Sequence, residues 1–181
     1  MEIIKENIET ILFTKKDLKN ITKKLARQIE KDYKNKELIC ICVLQGAFHF
    51  YSDLIRELDN NKVTIYQDTI GISSYNGDKS TGNINLYSQP QQNLKNKNIL
   101  IVEDLIETGT SLLFLQNYIK KTYSPKSIET CVLFDKPELH DKNINIKYIG
   151  QNIGNEFIIG YGFDYNQKYR NLKNIHILKK E

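Results

Sequence analysis

The amino-acid sequence predicts an α/β fold with a mainly parallel central sheet flanked by helices. Three observations carry that expectation. Ile99, Leu100, Ile101 and Val102 form a continuous apolar run, the pattern of a strand buried on both faces of a sheet. Segments of strand and of helical periodicity alternate along the chain, as crossover connections between parallel strands require. Two adjacent acids, Glu103 and Asp104, emerge where the apolar strand must end, which is where ligand crevices open in such sheets.

Taken in order, Thr14 followed by Asp17 has the pattern of a capping box, and Leu18, Ile21, Leu25, Ile29 and Tyr33 recur at three- and four-residue spacing. An amphipathic helix is predicted over residues 15–33. Residues 39–44 read as a buried strand, Gln45 and Gly46 as a turn, and residues 47–58 as a helix with Leu54, Ile55 and Leu58 facing inward. A strand follows over residues 63–72. Residues 73–86 combine Ser, Asn, Gly, Asp and Thr with few apolar anchors, which predicts a long mobile loop of the kind that serves as a lid. Strand, helix and strand then recur over residues 98–103, 110–123 and 127–134, with short strands near Ile146 and Phe157.

With 181 residues and no proline- or glycine-rich linker, one domain spanning residues 1–181 is expected. The formal net charge is only +4, with Lys interleaved among Glu and Asp, which argues against a nucleic-acid partner. Cys40, Cys42 and Cys131 lie in apolar strand-like runs with no second pair to complete a metal site, so they read as buried thiols. The first residues are charged from Glu2 onward, and no run approaches eighteen apolar residues. A cytoplasmic protein without membrane association is expected.

Chemistry concentrates in residues 99–111. Past the acids, Thr108, Gly109, Thr110 and Ser111 supply backbone N–H groups, three hydroxyls and a glycine that permits close approach, immediately before a predicted helix. A helix N-terminus built this way favours a phosphate. Neither G-x-x-x-x-G-K-[ST] nor G-x-G-x-x-G occurs, so a generic nucleotide-binding fold of those kinds is excluded.

The segment ILIVEDLIETGTS resembles the ribose-phosphate signature of the type I phosphoribosyltransferases, and the whole chain is most similar to their bacterial hypoxanthine and hypoxanthine-guanine members. VLQGAFHFYSDL, ISSYNGDKSTG, LFDKP and EFIIGYGFDYNQKYRNL occur in that family's order and spacing. The resemblance implies the type I phosphoribosyltransferase fold, with a small hood subdomain and a lid. It also implies transfer of a 5-phosphoribosyl group from 5-phosphoribosyl 1-diphosphate to N9 of a 6-oxopurine.

On that resemblance, Thr108, Gly109, Thr110 and Ser111 bind the 5-phosphate, and Glu103 and Asp104 accept hydrogen bonds from the ribose hydroxyls. Mg²⁺ assists diphosphate departure, with Asp164, Glu103 and Asp104 as its carboxylates and Arg170 as the diphosphate-binding arginine. Lys136 donates to the exocyclic oxygen at purine position 6, a pairing mismatched with the amino group of adenine. Phe157 stacks on the purine, and Ile158 offers its backbone to the base edge. Gln45 and Gly46 form the diphosphate loop, and Ser74 and Tyr75 belong to the lid. A homodimer or homotetramer is implied.

Three positions depart from the family pattern. Glu107 replaces the aspartate usually assigned as acid/base near purine N7, and a longer side chain there changes its reach. Gln45 stands where many members carry lysine, and His140 falls in a stretch lacking the arginine that often follows the DKP motif. Those departures keep a second class open, a catalytically weak module that binds nucleotide or nucleic acid. His49 and His176 lack partner constellations and read as structural. Hypoxanthine and guanine are not separated by the sequence, because contacts at purine position 2 are largely made by backbone.

Overall fold

In a computed structural model, which describes residues 8–76, 79–140, 144 and 146–179, the predicted alternation is realised as nine strands and three helices. Strand β1 is Ile8–Phe13, helix α1 Lys15–Asp32, strand β2 Glu37–Leu44, helix α2 Phe48–Glu57, strand β3 Thr64–Asn76 and strand β4 Lys79–Ser88. They are followed by strand β5 Asn98–Ile106, helix α3 Thr110–Tyr123, strand β6 Ser127–Asp135, strand β7 Tyr148–Asn152, strand β8 Ile158–Ile159 and strand β9 Ile175–Leu178.

Six strands form the main sheet in the order β4-β3-β2-β5-β6-β7, parallel throughout except for the antiparallel β3–β4 pair at one edge. Alternation along the strands divides the core into two layers. Leu38, Cys40 and Cys42 of β2, Leu100 and Val102 of β5, and Cys131 and Leu133 of β6 pack with Leu18, Leu25 and Ile29 of α1 and Phe50 and Leu54 of α2. Ile39, Ile41, Val43, Ile99, Ile101 and Val132 point to the other face and pack with Leu112, Leu115 and Ile119 of α3. With both faces covered, the central strands tolerate almost no polar residue until their carboxyl ends. The three cysteines are buried and unbridged, and burial raises the thiols of Cys40 and Cys42 to about 12.

Thr14 and Asp17 form the capping box at the start of α1, and α1 and α3 agree with the helices predicted from periodicity. Two differences from the sequence expectation stand out. Within the stretch expected as a loop, residues 73–76 extend β3 and residues 79–86 belong to β4, with Tyr75 opposite Ser80 and Asn76 opposite Lys79; residues 77 and 78 lie outside the described set. Backbone pairing with β4 is a tertiary contact that the local composition of residues 73–76 does not signal. The side chains of residues 74–83, including those of Ser74 and Tyr75, lie outside the described set. The second difference is from the periodicity reading: a separate sheet, β1-β9-β8, joins the two ends of the described chain, where the family resemblance alone implies a small subdomain. Neither β1 nor β9 is predicted from the sequence, because each is short and stabilised by a partner more than 150 residues away.

Candidate active site

Strand β5 delivers the acids. Its buried run ends with Glu103 enclosed and Asp104 opening to a cleft of about 550 Å³. Burial, followed by repulsion from Asp104, pushes the Glu103 carboxyl well above the usual carboxylate range, and burial also raises Asp104. Charge is therefore costly here until a ligand supplies hydroxyl donors or a cation. Gly46, in the turn after β2, approaches Asp104 so closely that a Cβ would lie 2.0 Å from Oδ2. A side chain at that position would displace the acid, so the turn meets it through backbone only. The Leu44–Gln45 peptide bond is cis, and the Gln45 side chain is exposed.

The opposite wall of the same cleft is the Thr108, Gly109, Thr110 and Ser111 turn. Gly109 adopts the left-handed conformation, φ +73°, and precedes α3 with no side-chain cap on the helix. The first N–H groups of α3 have no intrahelical partner; that of Thr110 donates to Thr108 Oγ1 at 3.4 Å, and Thr108 Oγ1 lies 3.1 Å from Thr110 Oγ1. Backbone N–H groups at a helix start beside clustered hydroxyls are an arrangement that suits an anion. Phe163, Ile72 and Ile84 supply apolar walls that the sequence reading did not assign.

A second, smaller pocket of about 170 Å³ gathers Lys136, Phe157, Ile158, Asp164 and Arg170. Asp104, Leu105, Glu107 and Phe163 line both cavities. Lys136 is buried, and its Nζ donates to Glu107 Oε1 at 2.5 Å and to the Glu156 backbone oxygen at 3.0 Å. The Glu156 carbonyl as an acceptor for this ammonium is another contact that the sequence does not signal. Phe157 is exposed on the pocket rim and meets Tyr165 edge to face, whereas Ile158 is buried in β8.

Asp164 and Arg170 pair with each other, Oδ1 to Nη2 at 2.6 Å, while Arg170 Nη1 donates to the Gly162 oxygen at 2.6 Å. Arg170 Nε is buried without a partner among the described residues. Among the described residues no three His, Cys, Asp or Glu side chains converge into a metal cage. Asp104 and Asp164 nevertheless face the same pocket as hard oxygen donors. That donor set fits Mg²⁺, which keeps waters and substrate oxygens as its remaining ligands.

The remaining histidines separate. His49 packs between Phe48 and Tyr161. His176 sits in β9 with Nδ1 buried and unpartnered among the described residues, and burial lowers its pKa. The His140 side chain is 6% exposed, with Nε2 2.7 Å from Asp135 Oδ1. Among the described residues no helix is long and apolar enough to cross a membrane.

Comparison with known proteins agrees with this geometry. A family model described as the phosphoribosyl transferase domain matches residues 9–166. A hypoxanthine-guanine phosphoribosyltransferase of Staphylococcus aureus is 38% identical over 97% of this chain and 96% of its own length. Among solved structures, a hypoxanthine phosphoribosyltransferase of Staphylococcus aureus superposes with a TM-score of 0.88 at 37% identity, covering 98% of this chain and 95% of that one. A hypoxanthine-guanine phosphoribosyltransferase of Bacillus anthracis gives 0.85 at 38% identity over 96% and 99%. With a mainly parallel sheet, an acidic pair at the end of β5, a glycine- and hydroxyl-bearing turn before α3 and this similarity over nearly its whole length, the chain belongs to the phosphoribosyltransferase family.

Proposed function

We propose that this chain is a purine salvage enzyme of one domain that transfers the 5-phosphoribosyl group of 5-phosphoribosyl 1-diphosphate to N9 of hypoxanthine or guanine, giving IMP or GMP and diphosphate. The observation that carries the reading is that the acidic cleft and the Lys136 pocket meet at Asp104, Leu105, Glu107 and Phe163, residues that line both. A donor lying in the first and a base lying in the second would react across that shared wall.

In this reading the 5-phosphate rests on the Thr108, Gly109, Thr110 and Ser111 turn, and the ribose hydroxyls donate to Glu103 and Asp104. Those contacts fix the anomeric carbon opposite the base and convert a two-body encounter into an oriented one. The C1′–N9 bond forms as the bond from C1′ to the diphosphate oxygen breaks. Glu107 holds or accepts the proton at N7, and Lys136 donates to the 6-oxo group while Phe157 stacks on the ring and Ile158 offers its backbone to the base edge. Arg170 and the backbone of Gln45 and Gly46 receive the leaving diphosphate. Asp164, Glu103 and Asp104 would hold Mg²⁺, which would supply neutralisation of the diphosphate charge. Ser74 and Tyr75, on the β3–β4 hairpin, close over the donor and exclude water. The enzyme works in the cytoplasm as a homodimer or homotetramer.

The test is product formation by purified protein with 5-phosphoribosyl 1-diphosphate and Mg²⁺, offering hypoxanthine, guanine, xanthine and adenine separately. IMP and GMP formation with adenine inert is the expected result. A folded protein that converts none of them is instead a binding module.

A further inference from the structure

Strand β6 ends on a buried carboxylate that none of the steps above uses. Asp135 pairs in register with Ile106 of β5 and Asn152 of β7, so it sits at the carboxyl edge of the sheet, one residue before Lys136. Its side chain and that of His140 are each only 6% exposed, with Nε2 2.7 Å from Oδ1. A carboxylate removed from water to this degree requires a donor, and the imidazole provides it.

The contact closes a short loop. Between its two ends, the Lys136 N–H donates to the Ile106 oxygen at 2.9 Å, and the Leu139 N–H donates to the Lys136 oxygen at 3.0 Å. The backbone of Lys136 is thus pinned on both sides, and the side-chain clasp from residue 135 to residue 140 fastens the ring so formed. The same loop reaches the phosphate turn: a Cβ built on Gly109 would lie 4.0 Å from His140 Cβ and 1.8 Å from Ile144 Cδ1. The clasp therefore stands behind both cavities, with Lys136 on one side and Gly109 on the other.

We infer that Asp135 and His140 form a positioning pair that sets the base-selecting Lys136 and the phosphate-binding turn at a fixed separation. It touches neither substrate. The loop lacks the arginine that often stands there in the family, and the imidazole holds it by an internal contact with the sheet end. Loosening the clasp moves the Lys136 ammonium relative to the 6-oxo group and relaxes the turn around Gly109, so affinity for both substrates falls together while the chemical groups stay in place.

The inference rests on the purine salvage reading, and turnover of hypoxanthine by the wild-type protein decides that reading first. His140→Ala is then expected to lower kcat/KM by about 10²-fold, with higher KM for hypoxanthine and for 5-phosphoribosyl 1-diphosphate. Adenine, inert with the wild type, should become detectably converted, so that the base ratio narrows, and IMP binding measured by calorimetry on the folded fraction should weaken in parallel. His140→Gln, whose amide nitrogen reaches the place of Nε2, should restore most of the loss. Should His140→Ala fail to fold, His140→Asn, too short to reach Asp135, is compared with His140→Gln in the same way. Unchanged KM values and base ratio in the folded variant without a donor would overturn the inference, as would His140→Gln being as impaired as that variant.

Discussion

Lys136 and Glu107, 29 residues apart in the chain, meet at 2.5 Å, the buried ammonium donating to a carboxylate that is about half exposed. The longer reach of glutamate lets a residue of the β5–α3 turn hold a lysine of the β6 end. Each proposed role then depends on the other. Glu107→Ala and Lys136→Ala should each lower kcat/KM for hypoxanthine by about 10- to 100-fold, the range for loss of a charge-assisted hydrogen bond. The double variant should lose less than the sum of the two in free energy, and steady-state kinetics on the four proteins checks it.

Asp164 and Arg170 hold each other at 2.6 Å where the diphosphate is proposed to leave. Asp164→Asn keeps the shape and removes the charge. The concentration of Mg²⁺ needed for half-maximal rate should rise several-fold, with KM for the base little changed. A Mg²⁺ titration of the variant beside the wild type checks this, and chelation of the metal should abolish turnover in both.

Gly109 occupies φ +73° against Ile144. Gly109→Ala places a Cβ in a backbone region that costs an L-residue about 1–2 kcal/mol, and it also crowds Ile144. Lower thermal stability and a raised KM for 5-phosphoribosyl 1-diphosphate are expected, read by thermal denaturation with and without IMP.

His176 gives stability an acid-sensitive component. Burial of a ring nitrogen with no partner among the described residues disfavours the protonated form, so the folded-state pKa lies below the ordinary value of about 6.5. The unfolded chain then binds the proton more readily than the folded one. This contribution is complete above about pH 6.5 and is lost as the pH falls toward the folded-state value. Urea midpoints from pH 7.5 to 5 should fall, and His176→Gln should flatten that slope.

Much of this architecture is legible in the sequence where burial writes a pattern. The β5 run, the α1 and α3 periodicities and the Thr14 capping box all follow from residues that face a core or a helix end. The Thr108 to Ser111 turn is legible because glycine and hydroxyl residues before a helix have few other uses. The β1-β9-β8 sheet is implied only by the family resemblance, because β1 and β9 pair across the length of the chain and carry no local signal. The β3 extension over residues 73–76 is hidden for a related reason: it pairs with β4 through backbone, which a Ser- and Asn-rich composition does not signal. The joining of Lys136 to Glu107, and of Asp135 to His140, depends on tertiary distances that spacing along the chain does not encode.

A crystal structure with IMP bound tests most directly whether the two cavities hold the two halves of one nucleotide. The account predicts the 5-phosphate on the Thr108 to Ser111 turn, the ribose hydroxyls on Glu103 and Asp104, and the 6-oxo group within hydrogen-bond distance of Lys136 Nζ beneath Phe157. A phosphate seated away from that turn, or a purine whose 6-oxo group does not face Lys136, would contradict it.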